Sequence, residues 1–285
     1  MEIIVGKNAG FCYGVKRAVD GANEELEKQR ESIYCLGEIV HNKNVVKKLE
    51  EQGMIFIDDI SNAHGTTLIR AHGVSNDIYE KAKKHNIELK DYTCPKVLKI
   101  HEIAEEYSAN GFFIILTGSK SHPENIGTTS FCGKHYFVVE DEKMLDIAIQ
   151  EFEKSGINKL LLISQTTFSI EKFNNISNII KEMILPNVEL VVKNTICAAT
   201  KIRQQEVEEL SKQVDMMIIV GGKNSSNTKK LYDIALKNCK ESICIENESE
   251  IDIDQIKRFN KIGIMAGAST PQESINNVIY LIENT

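Results

Sequence analysis

Three cysteines far apart in the sequence, Cys12, Cys94 and Cys197, each begin a similar stretch of pattern. A glycine follows 24 residues after Cys94 and again 24 residues after Cys197, with a helix-like run and then an apolar run between. The copy that begins at Cys12 is shorter in its second half, but it reaches Gly37 after 25 residues. Self-similarity at fixed spacing indicates repeated supersecondary units. The repeat therefore predicts three small domains, where a length of 285 residues alone would suggest about two.

The fold class follows from the order of apolar and amphipathic segments. Short, nearly continuous apolar runs such as FFIILTG, KLLLISQ and DMMIIVGG end in Gly, Ser or Gln, which is typical of parallel strands buried on both faces. Between such runs lie segments with helical periodicity, for example 97–107 and 201–214. Alternating strands and helices predict βαβ units with parallel sheets. We therefore expect an α/β fold of three similar domains around a pseudo-threefold axis.

The repeat also supplies the domain boundaries, because the chain has only four prolines and no Gly/Ser-rich linker. We place the first α/β repeat at 14–93, the second at 94–193 and the third at 194–285. The third copy lacks a final strand. The N-terminal segment 1–13, which contains the strand-like run EIIVGK, is expected to complete it and to close a ring of three repeats.

The repeated cysteines predict a metal site. Right-handed βαβ connections bring the residues that follow each strand to one edge of the sheet, where α/β proteins bind ligands. Around a pseudo-threefold axis, three such edges would bring Cys12, Cys94 and Cys197 together. Three thiolates without an obvious fourth ligand suit either zinc or an iron–sulfur cluster with one iron that lacks a protein ligand. One such cysteine alone would more simply be a core residue, but the shared repeat position favours a metal.

Polar residues recur in the loops after the first apolar run of each copy. His41 in GEIVHN and His122 in GSKSHPEN stand at equivalent points, where the third copy has Ser225, Ser226 and Asn227 in GGKNSSN. These hydrogen-bonding side chains lie in glycine-containing turns near predicted helix starts, where backbone N–H groups and the helix dipole favour an anion. Any one of them alone would more often be a turn or cap residue. Together they predict a site for a phosphate or diphosphate.

A second set of loops repeats the same argument. They are AHGVS at His72, SQTTFS at Thr166 and AGASTP at Ser269. Thr166 and Ser269 each lie 72 residues after the cysteine of their copy, so the spacing equates them. We expect these loops to complete the anion site.

Glu124 is the one carboxylate in the HPEN turn and a candidate proton relay. A nearby cation and a nearby anion would move its pKa in opposite directions, so that the carboxyl could hold or pass a proton beside His122. Glu124 could equally be an ordinary first-turn helix residue. The remaining histidines lie outside the repeated loops and are predicted to be surface residues: His64, His85, His101 and His135.

Charge and cysteine usage limit the partners. A net charge of −7 argues against nucleic-acid binding, which needs a basic face. The N-terminus lacks the pattern of a signal peptide, and the apolar runs are too short to cross a bilayer. Seven cysteines without an export signal indicate reduced thiols or metal ligands. We expect a cytoplasmic protein with a small-molecule ligand and neither a nucleic-acid nor a membrane partner.

The motifs jointly resemble those of the 4-hydroxy-3-methylbut-2-enyl diphosphate reductase family, and the resemblance covers essentially the whole chain. It is carried by AGFCYGVKRAV, GEIVHN, RAHGV, TCP, HPE, QTT, NTICAAT, NSSN and AGAS. The resemblance implies a cloverleaf of three α/β domains around an oxygen-sensitive [4Fe-4S] cluster held by Cys12, Cys94 and Cys197. It implies that the substrate hydroxyl binds the open iron. Two electrons and protons would then remove that hydroxyl as water, giving isopentenyl and dimethylallyl diphosphates in the last step of non-mevalonate isoprenoid synthesis.

The resemblance also assigns roles to individual residues. Glu124 would deliver protons together with His122, and Thr166 would lie near the substrate hydroxyl. An electron donor such as ferredoxin or flavodoxin would supply the electrons. The diphosphate would be held by His41, His72, His122, Ser225, Ser226, Asn227 and Ser269.

Two other functions are compatible with the motifs taken singly. One is a non-catalytic sensor, in which the cysteines hold zinc or a cluster and the polar loops bind a regulatory anion. The other is a sugar-phosphate or nucleotide-binding α/β enzyme without a metal. A sensor needs no proton relay, so the role of Glu124 distinguishes it from the reductase. Iron content excludes or supports the metal-free enzyme.

Overall fold

The computed structural model describes residues 1–28 and 32–284, in which strands and helices alternate. The strands are β1 (Glu2–Val5), β2 (Tyr34–Leu36), β3 (Ile55–Ile57), β4 (Thr67–Ile69), β5 (Leu89–Asp91), β6 (Phe113–Thr117), β7 (Tyr136–Val139), β8 (Lys159–Ser164), β9 (Glu189–Val192), β10 (Met216–Val220), β11 (Ser242–Ile245) and β12 (Lys261–Ala266). The α-helices are α1 (Tyr13–Glu27), α2 (Lys43–Glu51), α3 (Asn76–Lys84), α4 (Pro95–Ala109), α5 (Pro123–Thr129), α6 (Leu145–Lys154), α7 (Ile170–Met183), α8 (Ala198–Ser211), α9 (Ser226–Asn238), α10 (Ile253–Ile256) and α11 (Gln272–Glu283). Short 3-10 helices lie at Ile60–Asn62, Glu142–Met144 and Glu248–Glu250.

The strands form three four-stranded sheets, and every strand pair in them is parallel. The sheet orders are β3-β2-β4-β5, β7-β6-β8-β9 and β11-β10-β12-β1. Each copy therefore places its second strand at one edge, followed by its first and third strands. The predicted α/β class with three similar parallel sheets is confirmed.

Strand β1 occupies the fourth place in the sheet of the third copy. It pairs in parallel with β12, with Glu2 opposite Lys261 and Val5 opposite Ile264. The first and last strands of the chain are thus neighbours in one sheet. The domain boundaries at residues 94 and 193 stay a prediction.

The chain divides into two compact units, which do not follow the copies one to one. The first unit contains Met1–Val19, Val40–Glu51 and Ala198–Thr285, and it includes the sheet completed by β1. The second unit contains Asp20–Ile39 and Gln52–Cys197, and it includes the other two sheets. Across the described residues, no helix combines the length and the apolar character needed to span a bilayer.

The central strand β6 shows why the strands read as continuous apolar runs. All five of its residues are buried. Phe113 and Ile115 belong to the apolar cluster that includes Phe152 of α6, whereas Ile114 and Leu116 belong to the cluster of α4. Successive side chains thus pack on opposite faces, and each fully buried side chain of this size contributes about 1.5–3 kcal/mol relative to exposure. This packing fixes α4, whose first residue follows Cys94 directly.

One predicted surface residue is buried. His101 is only 4% exposed and stacks on Phe131, with ring centroids 4.5 Å apart. It lies on the face of α4 that also buries Val97, Ile100 and Ala104. That helical spacing was the signal that the residue belongs to the core. Burial lowers the pKa of His101 to about 4, so the ring is neutral at neutral pH. The other three histidines of this group are exposed, as predicted.

The neutral ring predicts a pH-dependent stability. Between about pH 6.5 and about pH 4, an unfolded chain protonates His101 while the folded chain does not. The unfolded state then binds more protons, so the free energy of unfolding should fall as the pH falls through this window. Urea unfolding across the window should show a smaller fall for His101→Gln than for the unsubstituted chain. Replacement of the exposed His85 is the control, and an equal slope for His101→Gln would contradict the prediction.

Candidate active site

The three repeated cysteines occupy one local structure. Each precedes the first residue of a helix, at the helix end that stabilises negative charge. All three side chains are half-buried free thiols. The backbone N–H of each cysteine donates to a carbonyl in a second loop, as Cys12 to Ala268 (3.1 Å), Cys94 to Ala71 (3.0 Å) and Cys197 to Thr166 (3.0 Å). The repeat thus extends to individual hydrogen bonds.

The other cysteines have different surroundings. Cys35 and Cys132 are fully buried, and their thiols donate to the carbonyls of Gly37 (3.1 Å) and Thr128 (3.4 Å). Burial raises the pKa of each of these two thiols to about 12. Burial also raises the pKa of Cys244, to about 11. Protonated thiols are poor metal ligands, so these residues are structural, in agreement with their place outside the repeat.

A glycine with positive φ opens each of the first polar loops. The φ angles are 70° at Gly37, 148° at Gly118 and 154° at Gly221. The N–H of each glycine donates to the last residue of the neighbouring edge strand, at distances of 2.8–2.9 Å. Side chains other than glycine are strained at such angles. The shared turn brings the chain to His41, His122 and Ser225, each four residues later.

Two of these three residues cap the helix that follows. Nδ1 of His122 accepts the N–H of Glu124 at 3.2 Å, and Oγ of Ser225 accepts the N–H of Thr228 at 3.4 Å. An accepting Nδ1 places the hydrogen of a neutral imidazole on Nε2, which can then donate to an anion. In the first copy the cap is Asn42, whose Oδ1 accepts from Asn44 and Val45. His41 therefore lies one residue before the cap.

The second unit brings several predicted residues together. The rings of His72 and His122 meet edge to face, with centroids 5.5 Å apart and planes at 79°. Glu124 follows His122 within the first turn of α5. Two imidazoles and one carboxyl thus lie in one region, where the sequence predicted anion binding and proton transfer.

Glu124 is the most perturbed carboxyl of this region. Its side chain is 2% exposed and accepts two hydrogen bonds of 2.6 Å from Thr166, one from the N–H and one from the hydroxyl. Burial raises the pKa of Glu124 to about 7, and the bonds from Thr166 oppose this shift only in part. A carboxyl with this pKa can hold or release a proton near neutral pH. The expected proximity of Glu124 and Thr166 is thus present.

Sequence reasoning missed Gln165, which joins the two loop sets. Its Oε1 accepts from Nδ2 of Asn125 (3.0 Å) and from the N–H of Ser119 (3.2 Å). Its Nε2 donates to Oγ1 of Thr167 at 2.7 Å. The residue is 2% exposed. A buried polar residue directly after a core strand was the available signal, and the bonds hold Glu124 and Thr166 in register.

The predicted equivalence of Thr166 and Ser269 is wrong by one residue. The N–H of Gln165 donates to Thr117, and the N–H of Gly267 donates to Val220 in the same way. The connection from the first loop glycine to this position is 47 residues in the second copy and 46 in the third. Equal counting from the cysteine therefore overshoots by one. Thr167 is the structural counterpart of Ser269.

The first unit carries the remaining predicted residues. Oγ of Ser269 donates to the carbonyl of His41 at 3.2 Å. Ser226 is the first residue of α9, and Asn227 follows it. The Asn227 side chain is 3% exposed, and neither its Oδ1 nor its Nδ2 has a partner within the described chain. Because an unsatisfied buried amide is costly, this residue has the character of a ligand-binding group.

Replacement of Asn227 should separate stability from binding. Asn227→Leu preserves the approximate shape and removes two unsatisfied polar atoms, so the free energy of unfolding without ligand should stay equal or rise by about 1 kcal/mol. Affinity for a diphosphate ligand should fall by about 10-fold or more, because a hydrogen bond to a charged group is lost. Thermal unfolding and the KM of the substrate test the two parts. A destabilised chain with unchanged KM would contradict the assignment.

The fold and the site define the class of the protein before any relative is considered. Three parallel sheets, with a buried carboxyl of raised pKa after one of them, indicate an α/β enzyme. Residues 3–283 match the model of the LytB protein family, and the chain belongs to this family. It is an oxidoreductase, since its curated relatives are reductases that match over the full chain.

Two curated relatives carry the name 4-hydroxy-3-methylbut-2-enyl diphosphate reductase. The protein of Clostridioides difficile strain 630 is 40% identical over 286 residues, which cover all of both chains. That of Caldanaerobacter subterraneus subsp. tengcongensis is 42% identical over 290 residues, covering 100% of this chain and 97% of the relative.

Two solved structures resemble the model. A structure of (E)-4-hydroxy-3-methyl-but-2-enyl diphosphate reductase, the terminal enzyme of the non-mevalonate pathway, has a TM-score of 0.72 and 35% identity, with both chains fully covered. The E-1-hydroxy-2-methyl-but-2-enyl-4-diphosphate reductase of Plasmodium falciparum has a TM-score of 0.88 and 32% identity, covering 98% of this chain and 87% of that one. The fold is therefore that of these reductases.

Proposed function

We propose that the protein reductively removes the hydroxyl of 4-hydroxy-3-methylbut-2-enyl diphosphate to give isopentenyl and dimethylallyl diphosphates. The relatives are named for this substrate. The observation that carries the proposal is the buried Glu124 carboxyl, bonded twice to Thr166 and with a pKa raised to about 7. A proton donor of this kind is what removal of a hydroxyl as water requires.

We propose that Cys12, Cys94 and Cys197 hold a [4Fe-4S] cluster with one iron free of protein ligands. Thiolates are the usual ligands of iron–sulfur clusters. The three thiols fit this role because they are half-buried and precede helix N-termini, and because they share one backbone hydrogen bond. When bound, such a cluster supplies electrons and an iron that can accept the substrate oxygen. The pseudo-threefold convergence of the three cysteines is part of this proposal.

The diphosphate is assigned to the polar loops. His72 and His122 supply imidazole groups in one region of the second unit. In the first unit the amide of Asn227 is buried and unsatisfied, and Ser225 begins α9, where backbone N–H groups favour an anion. The full set proposed to hold the diphosphate is His41, His72, His122, Ser225, Ser226, Asn227 and Ser269.

The proton balance follows from the reaction. Breaking the carbon–oxygen bond with two electrons and two protons releases water and forms one new carbon–hydrogen bond. Glu124 is proposed to deliver protons, with His122 beside it, and Thr166 is proposed to orient the substrate hydroxyl. Because Thr166 donates to Glu124 through its own hydroxyl, it can relay a proton between the carboxyl and a bound alcohol.

The electrons are proposed to come from a small redox protein such as ferredoxin or flavodoxin. We place the reaction in the cytoplasm, where cysteine thiols stay reduced and available to a cluster.

The direct test is turnover of the diphosphate alcohol by anaerobically purified protein with an artificial electron donor. The proposal expects consumption of the alcohol and formation of the two isomeric diphosphates, with the two products accounting for the substrate lost. Failure of iron-loaded protein to consume the alcohol would overturn the proposal.

A further inference from the structure

The second and third repeated cysteines are braced by a residue within their own loop. Asp91 lies three residues before the second cysteine, and its Oδ1 accepts the N–H of Thr93 at 2.8 Å. Asn194 lies three residues before the third cysteine, and its Oδ1 accepts the N–H of Ile196 at 3.2 Å. Both bonds hold the residue that precedes the cysteine. Short polar side chains commonly fix turns in this way.

The first cysteine cannot be braced in this way. Ala9 occupies the position three residues before Cys12, and its methyl group cannot accept a hydrogen bond. Gly10 follows with φ at 96°, in a region where only glycine is unstrained. The loop at Cys12 therefore needs its support from elsewhere in the fold.

That support comes from α8, almost two hundred residues later in the sequence. Arg203 is 5% exposed, and its Nη2 donates to the carbonyl of Gly10 at 2.8 Å. Glu206 lies one turn further along the helix and accepts the N–H groups of Lys7 and Asn8, the second at 3.1 Å. Nδ2 of Asn8 also donates to Glu206, at 3.0 Å. One guanidinium and one carboxylate thus bind three successive parts of the loop.

We propose that Arg203 and Glu206 are positioning residues for the Cys12 ligand and replace the local brace that the first copy lacks. The inference rests on the proposed cluster. The bond to Gly10 acts two residues before Cys12, so it sets the direction in which the chain delivers the thiol. The buried guanidinium also places a positive charge in the loop that carries an anionic ligand. Outer-shell partners of this kind orient metal ligands and tune their affinity.

The test is iron retention, measured as the rate of release to a chelator under anaerobic conditions. Arg203→Met removes the guanidinium and keeps most of the side-chain volume, and Glu206→Gln keeps the shape and removes the charge. Each variant should release iron about 10- to 100-fold faster than the unsubstituted protein. Glu209→Gln, at an exposed position on the same helix, should release it at the unsubstituted rate.

A double-mutant cycle distinguishes ligand positioning from general damage. In a Cys12→Ser background the ligand is already lost, so Arg203→Met should add little to iron release. An equal acceleration in both backgrounds would overturn the inference, as would unchanged release in both single variants. Far-UV circular dichroism of each variant identifies a chain that fails to fold, and Glu206→Gln then decides the matter. If the unsubstituted protein holds no iron, the proposed function fails and this inference falls with it.

Discussion

Glu124→Gln should lower turnover by about 100- to 10,000-fold while cluster content and substrate binding stay unchanged. General acid–base catalysis contributes factors of this size. The amide keeps the shape of the carboxyl and can still bond to Thr166, but it cannot deliver a proton. Steady-state turnover, iron content and substrate affinity should be measured on the same preparation. Glu142→Gln, at an exposed position in the same unit, is the matched control.

The pH profile adds a second readout for Glu124. The protonated carboxyl is the donor, so turnover of the unsubstituted enzyme should fall as the pH rises through about 7. The folded pKa lies above the ordinary value of 4.5, so the unfolding free energy should also fall as the pH rises through this window. Glu124→Gln should flatten both profiles. Unchanged turnover in this variant would favour a sensor, which needs no proton relay.

Replacement of any one repeated cysteine by serine should remove most of the iron and abolish turnover. Each of the three is a free, half-buried thiol directly before a helix. A cluster held by two remaining thiolates loses one of its three protein ligands. Iron per chain, the visible absorption band and electron paramagnetic resonance should be measured for Cys12→Ser, Cys94→Ser and Cys197→Ser.

Cys244→Ser is the matched control for the cysteine series. It is also half-buried, but burial raises the pKa of its thiol to about 11, and it lies outside the repeat. This variant should keep its iron and its turnover. Full iron retention in any one of the three repeat variants would remove that residue from the proposed ligand set.

The sequence predicts the sheets well because each copy states them again. A single short run such as that of β2 is weak evidence, but the same offsets from Cys94 and Cys197 to a loop glycine make the alternation clear. The structure gives all three sheets one strand order. The helix expected at 201–214 instead spans Ala198–Ser211, because its first turn begins directly after the cysteine.

Spacing predicts a position only while connection lengths stay equal. It correctly placed His122 and Ser225, since both lie four residues after a glycine of positive φ. It failed at Thr166, where one extra residue between the strands of the second copy displaced the count. Local spacing contains no information about such an insertion once the chain has passed through two helices.

Residues that act across the chain were not visible in the sequence. Arg203 and Gly10 are 193 residues apart, and nothing in either local pattern indicates the hydrogen bond between them. The raised pKa of Glu124 depends on burial, which is a property of the folded unit. The sequence could therefore indicate Glu124 as a candidate but not its pKa.

The central claim is that three cysteines hold an iron–sulfur cluster at the site of reduction. Its most direct test is anaerobic purification of the full chain followed by iron and acid-labile sulfide analysis. The account predicts brown protein with about four irons and about four sulfides per chain, the composition of a [4Fe-4S] cluster. Colourless, metal-free protein that is folded and soluble would contradict it.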